Sequence, residues 1–349
     1  MFAHSHSGHG GNVSGAMDDV VAAVINYNTA ALTRRCTRSL VEAGVARVLV
    51  LDNASAIEDF RRLAQEHAGD EAVEVIRSEI NLGFAQGSNG LIDRALGEPS
   101  CTRVLLVNSD ATVEAKGLRA CLEEMRAGGI DLMGGRMLKP GSDTVDSLGI
   151  ALYKSLLASN RKSTDDAYLG PTGGFAVYSR RFLEEVRKLH GYVFDPAYFC
   201  YAEDTDLCIR ARLLGARVGY TDAVVAYHEG QGSTAGEYND FILYHGIRNS
   251  IWMAAKSLPA GIIVTHLPWV VLLHGGIVLR HTLQGRWRTL WRLYRDAFRG
   301  LPAVLRARAK IQATRRIDSR AFRAFIDRQF YETRFLKGAV RDLMPGDRE

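Results

Sequence analysis

The stretch "VLLVNSDATV", residues 104–113, decides the fold. Four apolar β-formers, Val104, Leu105, Leu106 and Val107, stop abruptly at Asn108, Ser109 and Asp110. A strand buried on both faces reads as a near-continuous apolar run, because neither side of its pleat meets water. Similar runs recur at "VVAAVI" (20–25), "VARVLVLD" (45–52), "VEVIRS" (73–78) and "IDLMGG" (130–135). Between the first two, Leu32, Cys36 and Leu40 share one helix face, and Leu118, Leu122 and Met125 repeat that spacing. Strand–helix alternation of this kind predicts an α/β protein with a mostly parallel central sheet flanked by helices. Ligands of such sheets bind beyond the carboxyl ends of the strands. Asn26–Asn28, Asp52–Asn53 and Asn108–Asp110 all fall at those ends. Three polar clusters on one sheet edge predict a site.

Composition narrows the class. The chain has 349 residues, 47% hydrophobic and 24% charged, enough for a large core and an additional helical region. Cys36, Cys101, Cys121, Cys200 and Cys208 show neither CxxC pairing nor metal-ligand spacing and read as reduced thiols of a cytosolic protein. Residues 1–18, rich in His, Gly and Ser, lack the apolar core of a secretion signal and predict a disordered extension. Charge is uneven: residues 280–349 hold 18 Lys and Arg against 7 Asp and Glu, so this +11 within a total of +5 leaves −6 for the rest. A basic tail of that kind seeks an anionic partner.

The second half is less regular. "TGGFAVYSRRFLEEV" (172–186) reads as a Gly-led strand entering a helix, and "AEDTDLCIRARLLG" (202–215) as a helix with acids in its first turn. "ARVGYTDAVVAYH" (216–228) reads as two short strands ending in His228. These elements close a body over residues 19–250, with residues 251–349 as a C-terminal basic amphipathic region. Residues 258–279 carry no formal charge for 22 residues, long enough to cross a bilayer, yet two prolines and two histidines make them a poor spanning helix. A segment lying in the membrane interface is expected instead. After it, Trp287, Leu290, Trp291, Tyr294 and Phe298 recur at intervals of three or four among Arg288, Arg292, Arg295 and Arg299. That pattern suits an anionic membrane surface; a helix packed on the body with its arginines in water is the competing reading.

An Asn-x-Asp at a strand end next to a nucleotide-sized crevice can bind Mg²⁺ or Mn²⁺, which take few protein carboxylates and the oxygens of a substrate phosphate. Asp110 as the cap of a following helix is the alternative. "VVAAVINYN", "VLVLDNAS", "NLGFAQGSNGLIDRA" and "VLLVNSDATV", followed in order by "TGGFAVYSRRFL", "FDPAYFCYAEDTDLCIRARLLG" and "YHEGQGST", decide further. Together they resemble the bacterial family 2 glycosyltransferases of GT-A fold, and within them the rhamnosyltransferases and their relatives, over roughly residues 20–250.

The resemblance implies roles. Asn26, Tyr27 and Asn28 would line the nucleotide pocket, and Asp52, with Asn53 behind it, would accept the imide N–H of a uracil or thymine. Asn81, Gly83 and Phe84 would cover ribose and diphosphate, with Asn89 on the helix that follows and Asn108 near the sugar. Asp110 would hold the metal with His228 as a further ligand, and Thr172, Gly173 and Gly174 would flank the acceptor. Asp204 would be the base that takes the acceptor hydroxyl's proton, with Glu203 orienting beside it. Asp206, two residues on, points about 200° away on a helix and is expected merely to complement the helix dipole. The chain departs from the family's common pattern at Ser109, where proline is usual.

The expected activity is inverting transfer from a nucleotide-diphospho-sugar, dTDP-rhamnose first, to a lipid-linked or polysaccharide acceptor. Donors such as UDP-galactofuranose, UDP-glucose and UDP-N-acetylhexosamine stay open, as does a decayed, non-catalytic nucleotide-binding scaffold. The expected place is the cytoplasmic side of the cell membrane, peripheral or monotopic, and a homo-oligomer is compatible with it. A nicotinamide dehydrogenase is excluded because "NYNTAA" stands where GxGxxG would follow the first strand. A nucleic-acid partner is not expected, since the tail's interleaved Trp, Leu and Tyr suit a bilayer better than stacking on bases.

Overall fold

The computed structural model describes residues 17–230 and 239–332. The N-terminal His-rich extension, residues 231–234 of "YHEGQGST" and the last basic residues lie outside them. The chain runs β1 (Val20–Asn26), α1 (Ala30–Ala43), β2 (Arg47–Asn53), α2 (Ile57–Glu66), β3 (Val73–Ser78), α3 (Gly83–Leu96) and β4 (Arg103–Asn108). It continues through β5 (Ala111–Val113), α4 (Ala115–Gly128), β6 (Leu132–Leu138), β7 (Val145–Ser147), β8 (Ile150–Leu152), β9 (Ala158–Asn160) and β10 (Phe175–Ser179). Then come α5 (Arg180–His190), α6 (Glu203–Leu213), β11 (Val218–His228), α7 (Asp240–Ser257), α8 (Ala260–Leu283), α9 (Trp287–Thr314) and α10 (Ser319–Phe322).

Nine strands form one sheet in the order β3-β2-β1-β4-β10-β6-β11-β5, with β7 added to β6. The first four are parallel, as their apolar runs predict. The sheet is mixed beyond them: β10 runs antiparallel to both β4 and β6, while β11 returns parallel to β6. The expectation of a mostly parallel sheet is therefore corrected to half the strand pairs. Alternate residues of β1 feed two cores, Val21 and Ala23 one and Val20, Ala22 and Val24 the other. Helices cover both faces, which is why the strands carry so little polarity.

Residues 218–228 are one strand, not two; register shifts beyond Thr221 and Val224 bulge it against β6. Asp110 caps nothing: β5 follows it, and Glu114 caps α4 by accepting the Gly117 N–H. The boundary expected at residue 250 falls inside α7, an unbroken helix of 18 residues. Leu290, Leu293, Ala297, Val304 and Ile311 of α9 are buried, and the Trp252 indole of α7 donates to the Ala297 carbonyl at 2.9 Å. The chain then returns to the body, where the Asp327 N–H donates to Leu152 at 2.7 Å. The C-terminal region is thus built onto the body rather than appended to it. One helical stripe does not hold all five residues expected on it: Leu290 packs inward, whereas Trp287, Trp291 and Phe298 stay more than half exposed.

Candidate active site

A cavity of about 470 Å³ opens at the carboxyl ends of β1, β2 and β4. Its wall includes Tyr27, Asn53, Asn81, Gly83, Phe84, Asn108 and Asp110, and opposite them Thr172, Gly173, Gly174, Glu203, Asp204 and His228. Of the seventeen expected site residues, thirteen line this one space, and the geometry explains the other four.

Four residues expected at the nucleotide stand behind or away from that wall. Asn26 is fully buried and cross-braces the strand ends: its amide donates to Asp52, Ser55 and Asp59 at 2.9, 3.1 and 3.0 Å, and its carbonyl accepts from Thr29 and Thr33. Asn28, in the left-handed region at φ 55°, accepts the Ala56 N–H at 2.8 Å and so ties β1 to the loop after β2. Asn89 exchanges two hydrogen bonds with the Phe194 backbone. None of these three lines the cavity: the side-chain amides of Asn26 and Asn89 and the side-chain carbonyl of Asn28 are engaged by the protein itself. Asp52 is also wholly buried, but its Oδ2 has no hydrogen-bond partner, with Arg77 Nη1 3.7 Å away.

Asn53 and Asn81 shape the loop that leads into α3. Asn53 donates to Asn81 at 3.0 Å and accepts the Leu82 N–H at 2.8 Å, while Asn81 accepts the Gly83 N–H at 2.8 Å. Gly83 has φ +68°, and a Cβ there would come under 3.0 Å from the Phe199 carbonyl and ring. Gly83→Ala is therefore expected to destabilise the fold by about 2 kcal/mol or more, from left-handed backbone strain and the clash together. Urea denaturation measures it, and an unchanged midpoint would contradict the close approach.

Asp110 and His228 meet on the cavity floor. Asp110 Oδ1 lies 3.1 Å from His228 Nε2, and His228 Nδ1 lies 2.7 Å from Asp146 Oδ2. Burial alone lowers the imidazole's affinity for a proton, but the two carboxylates outweigh it and push the pKa up to about 9. Asp146 on β7 was not anticipated from sequence: it sits 82 residues from His228 within no recognisable motif. Among the described residues no group of three or more His, Cys, Asp or Glu is arranged to hold a metal. The Asp110–His228 pair nonetheless fits a cation with two protein ligands, since neighbouring octahedral donors at 2.0–2.1 Å stand about 3 Å apart. Asp146 then holds the histidine by its other nitrogen.

Asp204 faces this pair across the turn from Thr172 to Gly174. Its Oδ2 accepts the Gly173 N–H at 2.9 Å and its Oδ1 the Thr205 N–H at 2.6 Å. The same turn joins β4, for Asn108 N–H donates to the Gly174 carbonyl at 3.1 Å. A side chain on Gly173 would strike Phe84, so this glycine admits Phe84 rather than leaving open space for an acceptor ring. Burial raises the Asp204 pKa, and the hydrogen bonds from Gly173 and Thr205 pull part of that back. Burial acts harder on Glu203, helped by the charge of Asp204, and holds its carboxyl well above the usual range. Glu203 Oε2 is buried without a hydrogen-bond partner.

The loop that delivers these acids is strained and pinned. Phe199, Tyr201 and Ala202 all have positive φ, at 65°, 70° and 68°, a conformation that costs non-glycine residues of order 1–3 kcal/mol each. Asn249 of α7 holds it, donating to the carbonyls of Tyr198, Cys200 and Tyr201 at 2.9, 2.8 and 2.8 Å. Asp206 points into the interior, as its spacing predicts, but does more than complement a dipole. It accepts from Arg210 at 2.9 Å and Lys256 at 3.1 Å and so ties α6 to α7.

Residues 22–187 match the family model described as Glycosyl transferase family 2. The chain is 22% identical over 277 residues to the low-salt glycan biosynthesis hexosyltransferase Agl10 of Haloferax volcanii, covering 76% of this chain and 85% of that protein. It is 28% identical over 117 residues to the rhamnosyltransferase WbbL of Escherichia coli, covering 34% of this chain and 42% of WbbL. Among solved structures, S. aureus TarS 1-349 in complex with UDP superposes with a TM-score of 0.52 at 16% identity, covering 87% and 91% of the two chains. GalNAc-T7 with UDP, GalNAc and Mn²⁺ does so with a TM-score of 0.54 at 13% identity over 75% of this chain and 51% of that one. The fold is GT-A-like, with a mixed sheet flanked by helices and a helical C-terminal region.

Proposed function

We propose that this protein is an inverting, metal-assisted glycosyltransferase that moves a sugar from a nucleotide-diphospho-sugar to a cell-surface glycan precursor. One observation carries the reading: a single cavity joins Asp110 and His228 on one side to Asp204 on the other, across the Thr172–Gly174 turn. A cation bound by Asp110 and His228 would neutralise charge developing on the diphosphate leaving group. Asp204 receives the proton of the acceptor hydroxyl as that oxygen bonds to the sugar's anomeric carbon and the nucleotide diphosphate departs from the opposite face. Tyr27, Asn53, Asn81, Gly83, Phe84 and Asn108 surround the nucleotide-sugar, and Asp52 Oδ2, a buried acceptor without a donor, is available to a base N–H once Arg77 yields.

The WbbL similarity favours dTDP-rhamnose as donor; a UDP-hexose or UDP-N-acetylhexosamine is the alternative, supported by TarS, whose structure with UDP-GlcNAc has the same fold at a TM-score of 0.52. The exposed apolar and basic surface of α8 and α9 supports a place on the anionic cytoplasmic face of a membrane. α8 is the helix among the described residues long and apolar enough to cross one, at 24 residues and mean hydropathy 2.0, and it is largely unburied. A panel of dTDP-rhamnose, UDP-galactofuranose, UDP-glucose and UDP-N-acetylglucosamine, followed for donor turnover with Mn²⁺, tests the reading. Turnover of one donor, lost with the chelator EDTA, is expected. Binding of nucleotide diphosphates with no turnover of any donor would leave a scaffold instead.

A further inference from the structure

A second concavity, between α8 and α9, shares no lining residue with the sugar site. Val271, His274, Gly275, Val278, Leu279 and Thr282 recur at helical spacing along one face of α8, and Tyr294 of α9 closes the other side of a groove of about 670 Å³. His274 Nδ1 pairs with the Tyr294 hydroxyl at 2.9 Å across this wall and bridges the two helices. Val271, Val278, Leu279 and Leu283 are 42–69% exposed, a continuous apolar face that water does not favour. Trp287 and Trp291 continue it onto α9, with the Arg288 and Arg295 guanidinium groups over their rings at 5.2 and 4.7 Å.

The α8–α9 turn is linked to the sugar site through the start of α7. The turn between α8 and α9 is tied to the start of α7 by Arg286 Nη1 and Asp240 Oδ1, 3.4 Å apart. The next residue, Phe241, lines the Asp204 cavity and stacks edge-on with Phe199 and Tyr201 at 6.4 and 6.2 Å. One end of the apolar face therefore stands at the aromatic mouth of the cavity. A hydrocarbon chain carrying a phosphate satisfies both halves of this surface: the chain fills the groove, and the anion meets the arginines at the turn. A second copy of this chain does not, since it would set Arg288, Arg292 and Arg295 against their like.

We propose that the α8–α9 groove binds the hydrocarbon tail of the sugar acceptor, so that the acceptor is a lipid-phosphate-linked glycan whose sugar end enters past Phe241. The proposal rests on the glycosyltransferase reading of the Asp204 cavity and adds the acceptor's chemical class and the place of its tail.

Two glycines supply the test. A Cβ on either Gly275 or Gly276 meets nothing within 4 Å, so both positions are open to a side chain at its root, but only Gly275 lines the groove. Calorimetric titration of the full chain with farnesyl phosphate is expected to show saturable binding that Gly275→Trp weakens by about tenfold or more and Gly276→Trp leaves within about twofold. Inorganic phosphate should not compete. Nucleotide diphosphate binding, measured on the same samples, should be equal in all three proteins. Absent farnesyl phosphate binding beside intact nucleotide binding overturns the groove alone; lost nucleotide binding in the parent protein overturns the reading beneath it. Equal loss in both variants, binding only to anionic vesicles, or a dimer that Gly275→Trp dissolves would each overturn the tail site.

Discussion

Asp204→Asn is expected to lower sugar transfer by about 10²–10⁴-fold while nucleotide diphosphate affinity stays within about twofold. The amide keeps the shape, and its one oxygen can accept from either the Gly173 or the Thr205 N–H, but it cannot take a proton. Glu203→Gln, one residue away, is expected to cost no more than about fivefold. Burial, helped by the charge of Asp204, holds the Glu203 carboxyl well above the usual range and favours its neutral form, which the amide mimics. The contrast between adjacent acids is the informative result. Because burial also raises the Asp204 pKa, activity should fall on acidification at a pH above the ordinary range of an aspartate, about 3.9. Steady-state rates against pH for both variants measure this, and equal losses in the two would remove Asp204 from its role as base.

Asp206→Asn is expected to cost about 3–5 kcal/mol of stability, although it touches neither cavity. The carboxylate is fully buried and shares Arg210, Lys256, Tyr198 and Ser257, and its loss leaves Arg210 without a carboxylate partner. Burial raises its pKa, but Lys256 and then Arg210 outweigh that and hold the pKa below the usual value. A depressed folded-state pKa means stabilisation present above the unfolded value near 3.9 and lost as pH falls through the folded one. Denaturant titrations at neutral and acid pH should therefore separate the parent from the variant at neutral pH and bring them together in acid. An unchanged midpoint at neutral pH would show that the buried cations need no carboxylate.

The strands were legible because burial on both faces leaves a direct trace: "VEVIRS" coincides with β3 residue for residue, and "VVAAVI" falls short of β1 by Asn26 alone. The opposed directions of Asp204 and Asp206 followed from helical geometry alone. What sequence concealed is long-range. Asp146 reaches His228 only because β7 pairs with β6, and Asn249 reaches the strained loop at Phe199–Ala202 from a helix 48–51 residues away. Polar type likewise does not distinguish lining from bracing: Asn26 and Asn53 end neighbouring strands, yet one supports the sheet edge and the other faces the cavity. The domain boundary was misplaced because a change of composition near residue 258 does not mark where helix α7 begins.

Titration calorimetry with dTDP, UDP and GDP, each with and without Mn²⁺, tests the nucleotide-sugar site most directly. Micromolar binding of dTDP or UDP that strengthens with Mn²⁺, and weakens in Asp110→Asn, is the predicted result, and the preferred base selects between the rhamnose and UDP-sugar donors. Folded protein that binds none of the three, with or without the metal, would contradict the account.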